Sequence, residues 1–501
     1  MGPRSQNGSS TGTGARGRLR GAWKTAGMVT GSWRGRALAA VAVVSLLAAC
    51  GSEPAAESRQ DSIRNSSTDV PFTGCDQVAC EGTLDGAKYQ IQLPKKWNGT
   101  LLLFSHGYRA VQPSPPDFAP VQTDAQATPA PVVSTALLAK GYALAGSAYR
   151  TNGWAVADGV AAGEQLHDFF VQKVGTPNRT YAWGVSLGGL ITEELAEKHP
   201  DWVSGAAPMC GVLGGTNLNF DLALDVGYAI RTLVAPAFKV EGYTSFQDAQ
   251  ANFELAYKQV LATAKTPAGV AKLLLIGALV DAPTQTQNFD GSTLASRGSA
   301  LVESLVTALA FGTTVRQDIE RRVGGNPSGN ADADYGPRVS AGERTLIETV
   351  SPGSTDANLA VLARGTRITP DAGAREKFAA LGTPAGDVKV PTLTEHTESD
   401  PLVLVQNEGV FAAKVTASKQ KTADLVQLYT KAPATYPKPA PYGAGHCNFT
   451  GGELTGTLTL LDDWVRGGSY PAGQAITTAF GSDTGLDLTY RPAPWPAASG
   501  N

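Results

Sequence analysis

The sequence predicts an α/β fold: a mostly parallel central sheet with helices on both faces and a large helical insertion between two strands. Three observations predict it. Short continuous apolar runs closed by turn residues recur along the chain, segments of helical periodicity separate them, and one long stretch of helical periodicity interrupts the alternation. Such apolar runs suit strands buried on both faces. Strands alternating with helices imply the crossovers of a parallel sheet.

The N-terminal end reads differently. Residues 1–49 carry seven basic residues (Arg4, Arg16, Arg18, Arg20, Lys24, Arg34, Arg36) and no acidic ones, and close in the apolar run 37–49. That run is too short for a bilayer-spanning helix, which takes about 20 residues, and suits the apolar part of a secretory signal. Leu47-Ala48-Ala49-Cys50-Gly51 resembles the lipobox of bacterial lipoproteins, where the Cys is acylated and becomes the new N-terminus. The resemblance implies a signal peptide over 1–49, lipidation at Cys50, a polar tether over 50–72, and a place on the extracellular face of the bacterial cell membrane, anchored or released. Met28 begins a leader of more usual length and is the alternative start. Without residues 1–49 the formal charge goes from −3 to −10. A chain that acidic is a poor match for nucleic acid, whose phosphates are bound by clustered Lys and Arg.

Past the tether, 89–93 alternates like a half-buried strand, and 101–104 is a continuous apolar run ending at Ser105-His106-Gly107. Residues 142–148, 180–185 and 203–209 read as further buried strands. Leu166, Phe169, Phe170 and Val174 share one face of a helix over 161–174, as do Leu187, Ile191 and Leu195 over 187–199. These elements form a core over 73–212. Residues 213–388 hold mostly helical periodicity, as at 249–263 and 295–322, with a Gly/Asn/Asp loop at 324–336. Strands resume at 388–393 and 425–429, and a last helix over 453–465 completes the core across 389–470. The Gly/Pro-rich tail 471–501 is expected to wrap the surface.

Gly184-Val185-Ser186-Leu187-Gly188 matches G-x-S-x-G. With 57 glycines in the chain the match gains weight only from its context, a strand before Ser186 and a helix after it. A nucleophilic Ser needs that strained strand-to-helix turn, with glycines giving the backbone room. The helix N-terminus adds partial positive charge where an oxyanion would develop. Of five histidines (His106, His167, His199, His396, His446), three follow Ser186. His199 ends the helix that Ser186 opens, far from the hydroxyl. His396 precedes the best acid candidate, although the chain order on such a turn is Ser, acid, His. His446 lies in a Gly-rich loop before the last helix and is the expected base.

The stretch Val390-Pro391-Thr392-Leu393-Thr394-Glu395-His396-Thr397-Glu398-Ser399-Asp400-Pro401-Leu402-Val403 resembles the α/β hydrolases, in which a V-P-T-L strand leads to H-G-x-x-D-x-x-V and the Asp orients the His. The resemblance covers 80–212 and 388–466 and puts Asp400 in the acid position. Thr397 stands where Gly is usual, so Glu395 and Glu398 remain rivals. It also implies an oxyanion hole made by the backbone N–H groups of Leu187 and Tyr108, the latter following a His-Gly turn, with His106 structural.

Four cysteines besides Cys50 (Cys75, Cys80, Cys210, Cys447) suit disulfides in an exported chain; Cys75–Cys80 is one expected pair. Cys447 directly after His446 is similar to tannases and feruloyl esterases, where a Cys beside the His bonds one beside the Ser. Val185 rules that arrangement out here, and Cys210, at the end of the next strand, is the implied partner. Asn330, Asp332 and Asp334 lack the Gly and Glu of a calcium loop and read as solvated polarity. No metal or organic cofactor is implied. The expected activity is ester hydrolysis through an acyl-enzyme on a small-molecule or polymeric substrate. The alternatives are an exported serine peptidase trimming N-terminal residues and, more distantly, a non-catalytic solute-binding lipoprotein.

Overall fold

The computed structural model describes residues 80–113, 120–418, 424–436, 442–481 and 485–496. Cys50 and Cys75 lie outside these, and so do the lipidation site, the tether and the Cys75–Cys80 pair. Eight strands form one sheet in the order β1-β2-β4-β3-β5-β6-β7-β8. β1 (Glu81–Leu84) and β2 (Ala87–Gln92) make an antiparallel hairpin, and β2 runs antiparallel to β4 (Ala143–Ser147). From β4 onward β3 (Thr100–Ser105), β5 (Arg179–Val185), β6 (Val203–Met209), β7 (Thr392–Thr397) and β8 (Leu425–Thr430) are parallel. β1 carries no apolar alternation in its sequence Glu81-Gly82-Thr83-Leu84. It forms because Asp85 and Gly86 both take positive φ, the requirement of a two-residue hairpin turn.

β3 shows why the apolar runs are continuous. All six of its residues are buried. Leu101 and Leu103 pack on one face against Phe170, Leu190 and Leu195 of the helices Val156–Lys173 and Leu187–Lys198. Leu102 and Phe104 pack on the other against Trp183, Leu458 and Trp464, the last two from the helix Gly451–Gly467. Each such Leu contributes about 1.5–3 kcal/mol of burial.

β7 corrects an expectation. The apolar segment 388–393 predicts a strand there, but the ladder begins at Thr392 and runs through Glu395 and His396 to Thr397. Pro391 has no N–H to give a ladder, although its carbonyl still accepts from Ala206 N–H at 2.9 Å. The strand's second half is polar yet wholly buried, so apolar periodicity cannot reveal it.

Between β6 and β7 the described residues are helical over most of their length, from Thr216–Leu233 to Ala372–Ala379. They build a second apolar core around Leu224, Tyr228, Leu275, Leu305 and Leu309. The expected helix 295–322 is present but divided by a π-turn, Phe311–Val315, between Leu294–Ala310 and Arg316–Val323. Three helices outside the segment between β6 and β7 escape the sequence reading: Pro131–Ala139, Gln406–Ala417, and Gln474–Phe480 in the tail, whose Ile476 and Phe480 join the core beside Gly451–Gly467.

Candidate active site

Ser186 stands between β5 and the helix Leu187–Lys198 with φ 61° and ψ −125°. Such a conformation is costly for a residue with a Cβ, and tight packing holds it. A Cβ on Gly188 would lie 1.9 Å from the Ser105 carbonyl oxygen, and one on Gly184 would lie 2.5 Å from the same atom. The end of β3 can therefore cross close under the turn only because both flanking positions are glycine. The Ser186 N–H donates to the Met209 carbonyl at 3.1 Å, tying the turn to β6.

His446 reaches Ser186 from the loop after β8. Its Nε2 is 2.7 Å from Ser186 Oγ, and its Nδ1 is 2.7 Å from Asp400 Oδ2. The other Asp400 oxygen accepts the N–H groups of Leu402 and Val403, both at 2.9 Å. Burial raises a carboxyl's proton affinity, but the His446 and His396 imidazoles beside Asp400 outweigh it and hold the group well below the usual carboxylate range. The two loops are joined directly: Gly445 N–H donates to the Ser399 carbonyl at 2.8 Å, and the Thr397 hydroxyl donates to the Gly445 carbonyl at 2.8 Å.

The rival carboxylates are placed elsewhere. Glu395 points to the opposite face of β7, where it accepts from the Thr457 hydroxyl at 2.5 Å. Burial, with the Glu453 charge nearby, pushes its carboxyl well above the usual range. Glu398 is anchored through its N–H to the Thr430 carbonyl, and burial and the Asp487 charge push its carboxyl up to about 7. Of the three, Asp400 is the one hydrogen-bonded to His446.

The chain thus carries a serine on a strand-to-helix turn after β5, a carboxylate after β7 and a histidine after β8, on a mostly parallel sheet in that order. The fold is that of the α/β hydrolases. No protein-family model matches the sequence, and no curated protein matches it. Solved structures similar to it include feruloyl esterase B from Aspergillus oryzae (15% identity over 78% of this chain and 80% of that chain, TM-score 0.34). Another is a rice cell wall degrading esterase from Xanthomonas oryzae (14%, 76% and 85%, 0.34), and a third is proline iminopeptidase from Mycobacterium smegmatis (11%, 80% and 99%, 0.32).

Ser186 opens into a cleft of about 820 Å³, its mouth included. Leu187 and Tyr108 line it beside Ser186. Leu187 is the first residue of its helix, where N–H groups lack an intrahelical acceptor. Gly107 brings the preceding turn against Ser186, since a Cβ there would be 3.1 Å from the Ser186 Cβ. His106 supports that turn: its ring stacks on Tyr149 at 3.9 Å, and the Tyr149 hydroxyl donates to the His106 carbonyl at 3.0 Å. Burial, and then the Arg109 charge, push His106 down to about 3.

The remaining wall is mostly apolar, with Asn219 and Ser304 as its polar side chains, and comes largely from the helices between β6 and β7: Phe220, Val226, Leu305 and Phe311 among them. Trp154, from the loop after β4, closes one side against Phe220 and Phe378. No charged side chain lines the cleft among the described residues.

The cysteines Cys210 and Cys447 are joined in a disulfide. The Asn330 side chain holds the Ile368 N–H and the Tyr335 hydroxyl at 2.9 Å each, a structural role. Among the described residues no cluster of His, Cys, Asp and Glu is arranged to hold a metal ion. The sequence reading missed one group. His396, set aside as a base, lies wholly buried behind Asp400 and against Glu408. Its signal was the His-x-x-x-Asp spacing in a strand otherwise closed to water.

Proposed function

We propose that this chain is a serine hydrolase of carboxylic esters, exported and held at the extracellular face of the bacterial membrane by a lipid on Cys50. The observation that carries the reading is the 2.7 Å hydrogen bond between Ser186 Oγ and His446 Nε2 at the floor of an apolar cleft. His446 takes the Ser186 proton as the hydroxyl attacks a carbonyl carbon, and the N–H groups of Leu187 and Tyr108 receive the developing oxyanion. His446 then gives the proton to the leaving alcohol and activates water to release the acyl group. Asp400 holds the imidazole in the required tautomer and stabilises the imidazolium, staying ionised throughout. The helical segment 213–388 serves as a cap that sets substrate choice.

The cleft favours an ester over an N-terminal peptide. An aminopeptidase must receive an α-ammonium, and leaving such a charge unpaired among apolar side chains is costly. The described lining offers no carboxylate for it. Apolar walls suit a hydrocarbon or aromatic acyl group.

The test compares p-nitrophenyl esters of graded acyl length with aminoacyl and peptidyl p-nitroanilides on residues 51–501, with Ser186→Ala as blank. Ester turnover lost in the variant, with anilides untouched, is the expected result; rapid anilide turnover would establish the peptidase instead. For the anchor, the full precursor expressed in cells should incorporate labelled palmitate, and Cys50→Ser should lose the label. Persistence of label in that variant would reject Cys50.

A further inference from the structure

His396 and Asp400 are four residues apart on and just after β7, and both side chains are fully buried. Each ring nitrogen of His396 faces acceptors. Nε2 is 2.9 Å from the Val403 carbonyl oxygen and 3.5 Å from Asp400 Oδ2. Nδ1 is 3.2 Å from Glu408 Oε1. The other Glu408 oxygen accepts from the Thr394 hydroxyl at 2.6 Å and the Gln427 amide at 2.7 Å. A carbonyl and an ionised carboxylate only accept, so a ring between them needs a proton on both nitrogens.

We infer that His396 is a buried imidazolium clamped between Glu408 and Asp400, and a positioning residue for the reaction of Ser186. Its Nε2–H donates to the Val403 carbonyl, which sets its positive charge 3.5 Å from the same Asp400 oxygen that His446 uses, and that charge favours neutral, proton-accepting His446. The inference rests on the hydrolase reading above.

The surroundings agree. Burial alone would push His396 down, but the two carboxylates outweigh it and bring it up to about 10. The charged and titratable groups around the clamp are few. Asp400 comes from the loop after β7, and Glu408 from the helix Gln406–Ala417. Tyr429 is opposite His396 on β8, and His446 lies beyond Asp400. Glu193, on the helix after Ser186, feels the Glu408 charge, and burial raises it well above the usual carboxyl range. Glu395 faces the other side of the sheet. Without the His396 charge, Asp400 and Glu408 would together draw a proton onto His446.

The experiment measures the rate of Ser186 labelling by a fluorophosphonate from pH 5 to 9, a readout independent of substrate identity. In His396→Gln the acidic limb should move up by about one pH unit, so that labelling near pH 6 falls about tenfold while labelling at pH 9 changes much less. An unmoved limb with a uniform loss at every pH would mean a merely structural role and overturn the inference. Wild-type protein with 15N-labelled histidine gives a second reading that no folding failure can obscure. One of its five imidazoles should keep both nitrogens protonated at pH 9; five neutral rings there would overturn the clamp. No labelling of folded wild-type protein at any pH would reject the hydrolase reading itself, whereas normal labelling with an unmoved limb rejects the clamp alone.

Discussion

Cys210 and Cys447 lie 237 positions apart in the chain, and their Cα atoms are 5.5 Å apart across a disulfide. Cys210 directly follows β6 and gives its N–H to the Glu395 carbonyl at 2.8 Å, so it is fixed to the sheet. Cys447 follows His446, and its sulfur is 3.4 Å from His446 Nε2. The bond ties the histidine loop to the sheet edge beside Ser186.

Removing it should therefore cost both stability and turnover. A closed loop of this length constrains the unfolded chain by roughly 5 kcal/mol in the chain-entropy model, with about 2–5 kcal/mol typical of measured losses. The double variant Cys210→Ala/Cys447→Ala should unfold at lower denaturant by such an amount, and its kcat should fall further than its KM rises. Unchanged kcat would show that the Gly445 and Thr397 hydrogen bonds hold the loop unaided.

Asp400→Asn tests the tautomer argument. The Leu402 and Val403 N–H groups can still bond the Asn carbonyl, so the loop keeps its place. The Asn amide would then face His446 Nδ1, donor against donor, and the imidazole would turn its proton toward Ser186. A fall of about 10⁴ in kcat is expected, with thermal stability changed far less. Loss of fold would assign Asp400 a structural role instead.

Much of this arrangement was legible in the sequence, for physical reasons that also mark the limits. Leu101 to Phe104 had to be buried on both faces, and Ser186 lay between a strand and a helix flanked by glycines that the close approach of Ser105 requires. His446 came from eliminating the other histidines by position and chain order, Asp400 and the Cys210–Cys447 pair came from a family resemblance, and spacing alone left Glu395 and Glu398 open. What escaped was written in side-chain pairing. Glu395, His396 and Glu408 follow no apolar pattern, yet all are buried with polar partners. The edge strand Glu81–Leu84 and the tail helix Gln474–Phe480 owe their form to a turn and to tertiary packing.

Gly188→Ala should be among the most damaging single-methyl changes. The added Cβ would overlap the Ser105 carbonyl oxygen, a backbone atom with no rotamer to escape into. Relief means moving the end of β3 and the turn carrying Gly107 and Tyr108 away from Ser186. Overpacking costs about 1–3 kcal/mol, occasionally more. Chemical denaturation should register that loss, and labelling by a fluorophosphonate should slow at least tenfold. Normal labelling would mean that Tyr108 has no part in the oxyanion site.

Glu303 gives the fold a pH dependence with a definite sign. Its carboxylate is buried on the helix Leu294–Ala310 and accepts from the Thr286 hydroxyl at 3.1 Å and the Asn288 amide at 2.9 Å. Burial outweighs both hydrogen bonds and pushes the group up to about 7 from an ordinary 4.5. The folded state therefore holds its proton more tightly than the unfolded state does. Stability from this group is full below about pH 4.5, declines as pH rises through 7, and is flat beyond, a total of about 3 kcal/mol. The loop it anchors also touches the active site, for the Gln287 side chain packs where Gly445 has no Cβ. Glu303→Gln should remove this slope, leaving the melting temperature at pH 8 higher than wild type and that at pH 5 little changed. Parallel melting curves for the two proteins from pH 5 to 8 would show that Glu303 ionises in the fold at no cost.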